Sequence, residues 1–411
     1  MTGSRGAAVA AALATASGPL PAGGAAATAS VLSEPAGVAW EDGILTYVGP
    51  AGGLPWHAAI GSADRGLLIP GFVDCHVHLP FFGWRADEFE ARLAGTSYRD
   101  LHGEEGGIYR SARMLAAASD EEVLAFCLPL AREMAAHGTT AMELKTGYGL
   151  SVDAELRQAR LARALASAAP QTCTVTLLAC HAVPHGMTRE GWVRAACDEL
   201  IPAAAAEGLA DQVDIYVEDI AFSLKDLSQV AEAAVRAGLP LRVHAEQLGA
   251  TGAAETAAAL GARSADHLNH LDGEGVAALA ASDTVAVLLP ASAFLLRETA
   301  PPVSALREAG AALAIATDLN PGTSAVSSMP ETIAFACTSY GLAPLEALTS
   351  ATANPAFVLG LDDRLGTLEV GKRADVLLLE TASFAHVPYR PGHNPAIATI
   401  IGGEQVSPSS L

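Results

Sequence analysis

Positive charge is scarce in this chain: Lys and Arg number 24 against 45 Asp and Glu, a net charge of −21. That balance repels nucleic acid and anionic membranes and argues against a phosphate-tracking role. A small anionic substrate would need a local cationic pocket. Paired cysteines are lacking too. The six are scattered (Cys75, Cys127, Cys173, Cys180, Cys197, Cys337) with no Cys-x-x-Cys, which points to a reducing, cytoplasmic setting and away from a disulfide framework or thiolate metal site. No stretch approaches ~20 strongly apolar residues, so no membrane span is expected. Neither a dinucleotide-binding glycine fingerprint nor a Walker loop follows any apolar run. The Ala-rich stretch 7–16, behind Arg5, has the outline of a leader. Its apolar core is mostly alanine and soon runs into Gly and Pro, and it is not read as one.

What is present is enough apolar material for a large core. The 411 residues are 51% hydrophobic and 17% charged, which fits one large domain plus a smaller one. Apolar runs of strand length fall at 71–78, 139–144, 173–180, 213–217, 241–244, 264–268, 285–289 and 313–317. Helical periodicity lies between them, at 153–168, 190–207, 224–237, 251–261 and 303–309. Eight strands alternating with helices predict an α/β fold, an (α/β)8 TIM-like barrel, with a doubly wound sheet as the alternative. The flanks differ. Residues 37–49 read as a hairpin around Asp42-Gly43, and 366–379 are strand-like and turn-rich. The expected organisation is a barrel over 70–360 and a small β-sandwich made from 1–69 and 361–411.

A parallel barrel builds its active site at the C-terminal ends of its strands. The first run ends in His76 and His78, whose alternation puts both side chains on one face. The later runs deliver Lys145 and Tyr148, His181, Glu218, then His244 with Glu246 and Gln247, and His267. The last delivers Asp318 and Asn320, followed by Pro321, Gly322 and Thr323, while the seventh, ending Pro290-Ala291-Ser292, supplies no obvious ligand. Five of the twelve histidines thus fall at predicted strand ends, which scattered core histidines would not do. Singly, each has a plain reading: a satisfied core histidine, a cap at Asp318, a rim ion pair between Lys145 and Glu218. Three histidines and an aspartate around one divalent ion leave room for a water, whose pKa the ion lowers toward ~7. A further histidine and the aspartate can then move protons. That is the chemistry of hydrolysis or deamination at carbon bonded to nitrogen.

These residues resemble the amidohydrolase superfamily, over roughly residues 37 to 405. The Pro70-Gly71-Phe72-Val73-Asp74-Cys75-His76-Val77-His78 run matches its metal-binding pair. Lys145-Thr146-Gly147-Tyr148-Gly149 and Thr317-Asp318-Leu319-Asn320-Pro321-Gly322 are more specific, and Arg85 with Glu88-Phe89 and Gly95-Thr96-Ser97-Tyr98 adds to them. Within the superfamily, the likeness is to members that open the ring amide of a small nitrogen heterocycle bearing a propionate. The resemblance implies one divalent metal, zinc or iron, held by His76, His78, His244 and Asp318. It implies catalytic roles for His267 and Asp318, and substrate contacts from Arg85, Tyr98, Tyr148, His181, Gln247, Asn320, Gly322 and Thr323. The bottom-up chemistry agrees, since an arginine fork and tyrosine hydroxyls suit a carboxylate. It implies a small-molecule substrate, no nucleic-acid or membrane partner, and a possible homodimer. Three positions depart from the family pattern: Gln247 stands where a glutamate is usual, Trp84 where a small residue is usual and would narrow the pocket, and Glu105 where a glycine is usual. The alternatives are an enzyme for another nitrogen heterocycle and a silent metal-binding scaffold.

Overall fold

The structure is a computed structural model, and it describes residues 5–96 and 106–406. Seven short strands come first: Arg5–Ala10 (β1), Ala12–Thr15 (β2), Ser30–Leu32 (β3), Ala36–Glu41 (β4), Ile44–Pro50 (β5), Ile60–Gly61 (β6) and Leu67–Pro70 (β7). Eight more follow, separated by helices: Phe72–Asp74 (β8), Thr139–Lys145 (β9), Thr172–Cys180 (β10), Gln212–Val217 (β11), Leu241–Ala245 (β12), Ser264–His267 (β13), Val285–Leu288 (β14) and Leu313–Ile315 (β15). Val376–Leu379 (β16), Ala396–Ile401 (β17) and Glu404–Gln405 (β18) are the last strands of the described residues.

Strands β8 to β15 form one parallel sheet in sequence order. It closes through a parallel bridge between Val77 and Leu319 and a hydrogen bond from His78 N to Leu319 O (2.9 Å). This is the expected barrel. Its strands are buried on both faces, so they read as continuous apolar runs. The helices between them start where the sequence supplies caps. Ser119 with Glu122 and Ser223 with Asp226 form capping boxes, and Ser151, Thr188 and Asp272 cap with their side chains.

The two ends of the chain build the remaining sheets, ordered β5-β4-β1-β6 and β18-β17-β16-β7-β2-β3. The N- and C-terminal segments join where β7 pairs antiparallel with β16, Leu68 opposite Leu378. Between these sheets lies a separate apolar core that includes Ala8, Val38, Trp40, Leu68, Val376 and Ile400. The stretch 7–16 thus contributes to β1 and β2, with all its alanines but Ala11 buried. In the predicted hairpin, Asp42 and Gly43 both take positive φ (51° and 76°), the twist of a two-residue type I′ connection.

Three expectations shift in detail. The first barrel strand is shorter than 71–78, because the ladder to β9 ends at Asp74. Residues 77 and 78 are held instead by Leu319, and by Lys145 N donating to Val77 O at 2.8 Å. The helix expected over 190–207 is Arg189–Ala195 and Ile201–Ala206 joined by a π-turn over Ala196–Leu200. Pro202, which has no N–H, sits just beyond that wide turn. Within 366–379 only Val376–Leu379 is strand.

Candidate active site

The barrel interior brings together the histidines that the strand ends supply. His76 Nε2 and His78 Nε2 lie 3.2 Å apart, and Asp318 Oδ1 lies 3.7 Å from the first and 3.4 Å from the second. One ligand atom each from His76, His78 and His244 fall within 4.8 Å of one another, all three residues buried. His244 Nε2 is sealed from solvent and has no hydrogen-bond partner among the described residues. An orphaned buried nitrogen is costly. A cation among these lone pairs resolves both that cost and the facing imidazole nitrogens. The group therefore fits a divalent metal ion. Burial pushes both His76 and His78 well below the usual imidazole pKa, which keeps them in the neutral, ligating form.

His267 closes the cluster, its ring 5.3 Å from that of His244 and 5.5 Å from that of His76. Burial pushes its pKa down to about 3, so the ring is neutral. The Asp318 carboxyl is raised, with burial outweighing His267 and the Ser292 hydroxyl. Both residues adopt left-handed backbone, φ 80° at His267 and 53° at Asp318. Such strain in non-glycine residues is tolerated where surrounding bonds enforce it. At Asp318 those bonds are Asn320 Nδ2 donating to the Asp318 carbonyl (2.7 Å) and Leu319 N donating to Thr317 Oγ1 (3.2 Å).

One pocket lies over this cluster. It is lined by His78, His244, His267 and Asp318 together with Arg85, Tyr148, His181, Gln247, Asn320 and Thr323, and also by Ile108 and Tyr216. Local sequence explains how each side chain is held. Glu155 accepts hydrogen bonds from the amides of Gly147, Gly149 and Leu150, and Gln158 from that of Tyr148, which fixes the loop that carries Tyr148. Gly147 sits at φ 112°, a conformation L side chains rarely adopt, and its carbonyl faces His181 Nδ1 at 3.0 Å. Glu218 does not line the pocket. Its Oε1 accepts from the amides of Gln247 (2.6 Å) and Leu248 (3.0 Å), and burial raises its pKa to about 7. Glu246 turns away and accepts from Gly252 N.

Arg85 enters the pocket from the helix Ala86–Leu93. Its Nη1 donates to Gly107 O and Ser111 Oγ, both at 2.6 Å, and its Nε lies 3.1 Å from Glu88. Gly322 packs on Arg85 so closely that a Cβ there would overlap the guanidinium. Gly322 borders a neighbouring cavity of about 260 Å³, and its lack of a side chain seats Arg85. Trp84 also lines that outer cavity, packed on Phe81 and Phe126, and does not narrow the catalytic pocket. Lys145 is fully buried behind the cluster. Tyr98 and Glu105 lie outside the described residues.

Tyr216 was not anticipated. It sits two residues before Glu218 on β11, and the strand period of two was the signal that pointed inward. The same period hides a polar layer inside the apolar-looking runs. Glu143, Asp214, Arg242 and Asp266 are all 0% exposed.

A closed parallel barrel with a histidine cluster at its strand ends defines a class of metal-dependent hydrolases. The chain belongs to the amidohydrolase family, whose model matches residues 67–406. Several curated relatives named imidazolonepropionase match most of the chain. That of Caulobacter vibrioides is 44% identical over 371 residues, 89% of this chain and 92% of the relative. That of Paracoccus denitrificans is 43% identical over 372 residues, 89% and 93%, and that of Aeromonas salmonicida 43% over 342 residues, 82% and 83%. Among solved structures, N-isopropylammelide isopropylaminohydrolase from Burkholderia multivorans superposes with a TM-score of 0.70 at 21% identity, covering 98% of each chain. An adenosine deaminase from Xanthomonas campestris gives 0.68 at 19%, covering 97% and 92%. These two likenesses concern the fold.

Proposed function

We propose that this chain hydrolyses the ring amide of 4-imidazolone-5-propanoate to N-formimino-L-glutamate, a step of histidine degradation. One observation carries the reading. A single pocket holds both the histidine–aspartate cluster and a buried arginine, in a chain otherwise so acidic that an anionic substrate would be repelled. The shared name of relatives 42–44% identical over most of their length supports it.

His76, His78, His244 and Asp318 would hold one zinc or iron ion, which when bound supplies Lewis acidity and a water nucleophile at neutral pH. The chain's own residues do the rest. Arg85 presents its remaining guanidinium edge to the propionate, with Tyr148, His181, Asn320 and Thr323 around the ring and Tyr98 joining them by the family likeness. Gln247 offers hydrogen bonds without charge. His267, as a neutral imidazole, hydrogen-bonds the ring carbonyl as negative charge develops there. Water adds to the carbonyl carbon and its proton passes to the Asp318 carboxylate. The ring C–N bond breaks, the proton is delivered to the departing nitrogen, and the former carbonyl carbon becomes a carboxylate of the open-chain product. The free cysteines are consistent with a cytoplasmic enzyme, and no described helix is long and apolar enough to cross a membrane.

The test is turnover of freshly prepared 4-imidazolone-5-propanoate beside an analogue that lacks the carboxylate. The reading expects formiminoglutamate from the first and much slower opening of the second. Equal rates would remove Arg85 from its role, and no product from a metal-loaded, folded protein would overturn the substrate.

A further inference from the structure

Behind the cluster runs a chain of buried ions that none of these steps uses. His76 Nδ1 lies 2.6 Å from Asp266 Oδ2, and Arg242 Nη2 donates to that same oxygen at 2.6 Å. Arg242 Nη1 donates to Glu143 Oε1, which also accepts from Lys145 Nζ at 3.0 Å. Lys145 Nζ donates again, to Asp214 Oδ2 at 2.6 Å, and that oxygen lies 3.0 Å from His244 Nδ1. The arc thus begins on one candidate ligand and ends on another. The five residues between the histidines have wholly buried side chains.

The barrel register makes this possible. Asp214 pairs with Arg242 and His244 with Asp266 across adjacent strands, and the period of two sends these side chains inward. Arg242 also donates to the Cys75 carbonyl (2.7 Å), next to His76. A lone buried charge is expensive, and such a set persists only when every member is paired. A carboxylate hydrogen-bonded at Nδ1, as Asp266 is at His76, fixes the tautomer and leaves the Nε2 lone pair for an ion, and Asp214 stands within ion-pair distance of His244 Nδ1. Lys145 has its ammonium committed to two carboxylates, which sets it apart from the ligands.

We propose that Asp214 and Asp266, joined through Lys145, Glu143 and Arg242, are positioning residues that hold His76 and His244 as one unit and set metal affinity. This rests on the metal-ligand reading above. The test compares full-length wild type with Asp214→Asn, Lys145→Gln and the double variant. Each is loaded with zinc and then challenged with a chelator, and a zinc-sensitive dye reads the released ion. Far-UV circular dichroism checks the fold of the metal-free forms, and cobalt-loaded samples report the ligand field by visible absorption.

Each single variant should bind zinc about 10- to 100-fold more weakly, with shifted cobalt bands. The double variant should lose little beyond the worse single one, since both interrupt the same arc. Affinity and cobalt bands unchanged from wild type, or losses that simply multiply, would overturn the arc while leaving the ligand reading intact. Wild type that takes up neither zinc nor iron would overturn the ligand reading itself. If Lys145→Gln fails to fold, Asp214→Asn, nearly isosteric, decides alone through its affinity and its cobalt spectrum.

Discussion

The core between the terminal sheets and the interior of the barrel's upper end are both sealed from water. The first is filled by side chains such as Ala8, Val38, Leu68, Val376 and Ile400. The second holds Glu143, Lys145, Asp214, Arg242 and Asp266 beneath a cluster of histidines. In the first, burial is itself the driving force, at roughly 25 cal/mol per Å² of apolar surface removed from water. In the second, burial is a cost that closed ion pairing and a bound cation offset. Removing a side chain should therefore be felt as lost stability in one place and lost chemistry in the other.

The comparison is broken most sharply at the cluster. His244→Ala should abolish activity, a fall beyond ~10⁴-fold, and release the ion. Metal analysis of the purified variant checks this, and full occupancy would remove His244 from the ligand set. His267→Gln should keep the ion and lose roughly 10²- to 10⁴-fold in kcat, the usual span for a proton-handling or polarising group. Ion loss equal to that of the His244 variant would make His267 a ligand instead.

In the terminal core, Leu68→Ala should cost about 2–5 kcal/mol in denaturant unfolding while kcat/KM of the folded protein stays unchanged. A selective loss of turnover there would dissolve the distinction between the two regions. Asp375, at the end of that core, sharpens it through pH. Burial raises its pKa to about 6, above ~3.9 in the unfolded chain. The folded protein then binds the extra proton between those values. This contribution to stability is full below pH ~4 and is lost as pH rises through about 6, up to ~3 kcal/mol in all. Melting across that range should show the slope in wild type and its absence in Asp375→Asn; an identical slope in both would count against it. Arg85→Ala should have the smallest effect, about 1.5–3 kcal/mol in kcat/KM. Its loss should fall mainly on KM, with ion content unchanged.

The same contrast explains what could be read from the residues alone. The eight barrel strands are near-continuous apolar runs with helical segments between them, so their number, order and closure were legible. The polar residues after each run marked the mouth of the barrel, and ten of the residues singled out there line one pocket. What escaped notice is what alternation conceals. Asp214 and Tyr216 sit within a strand that reads as apolar, and Glu143 and Arg242 each lie two residues before a more conspicuous neighbour, Lys145 and His244. Gly322 stands in a motif that marks the site. Only packing reveals that its missing side chain makes room for Arg85. Trp84 and Arg85 both border the outer cavity, and only Arg85 also reaches the catalytic pocket.

The most direct measurement strips the protein with a chelator, restores it with zinc or iron, and follows 4-imidazolone-5-propanoate at each stage. The signals are loss of the imidazolone absorbance and formation of formiminoglutamate. The account predicts that turnover disappears on stripping and returns with the metal. Full turnover from metal-free protein, or none from the restored protein, would contradict it.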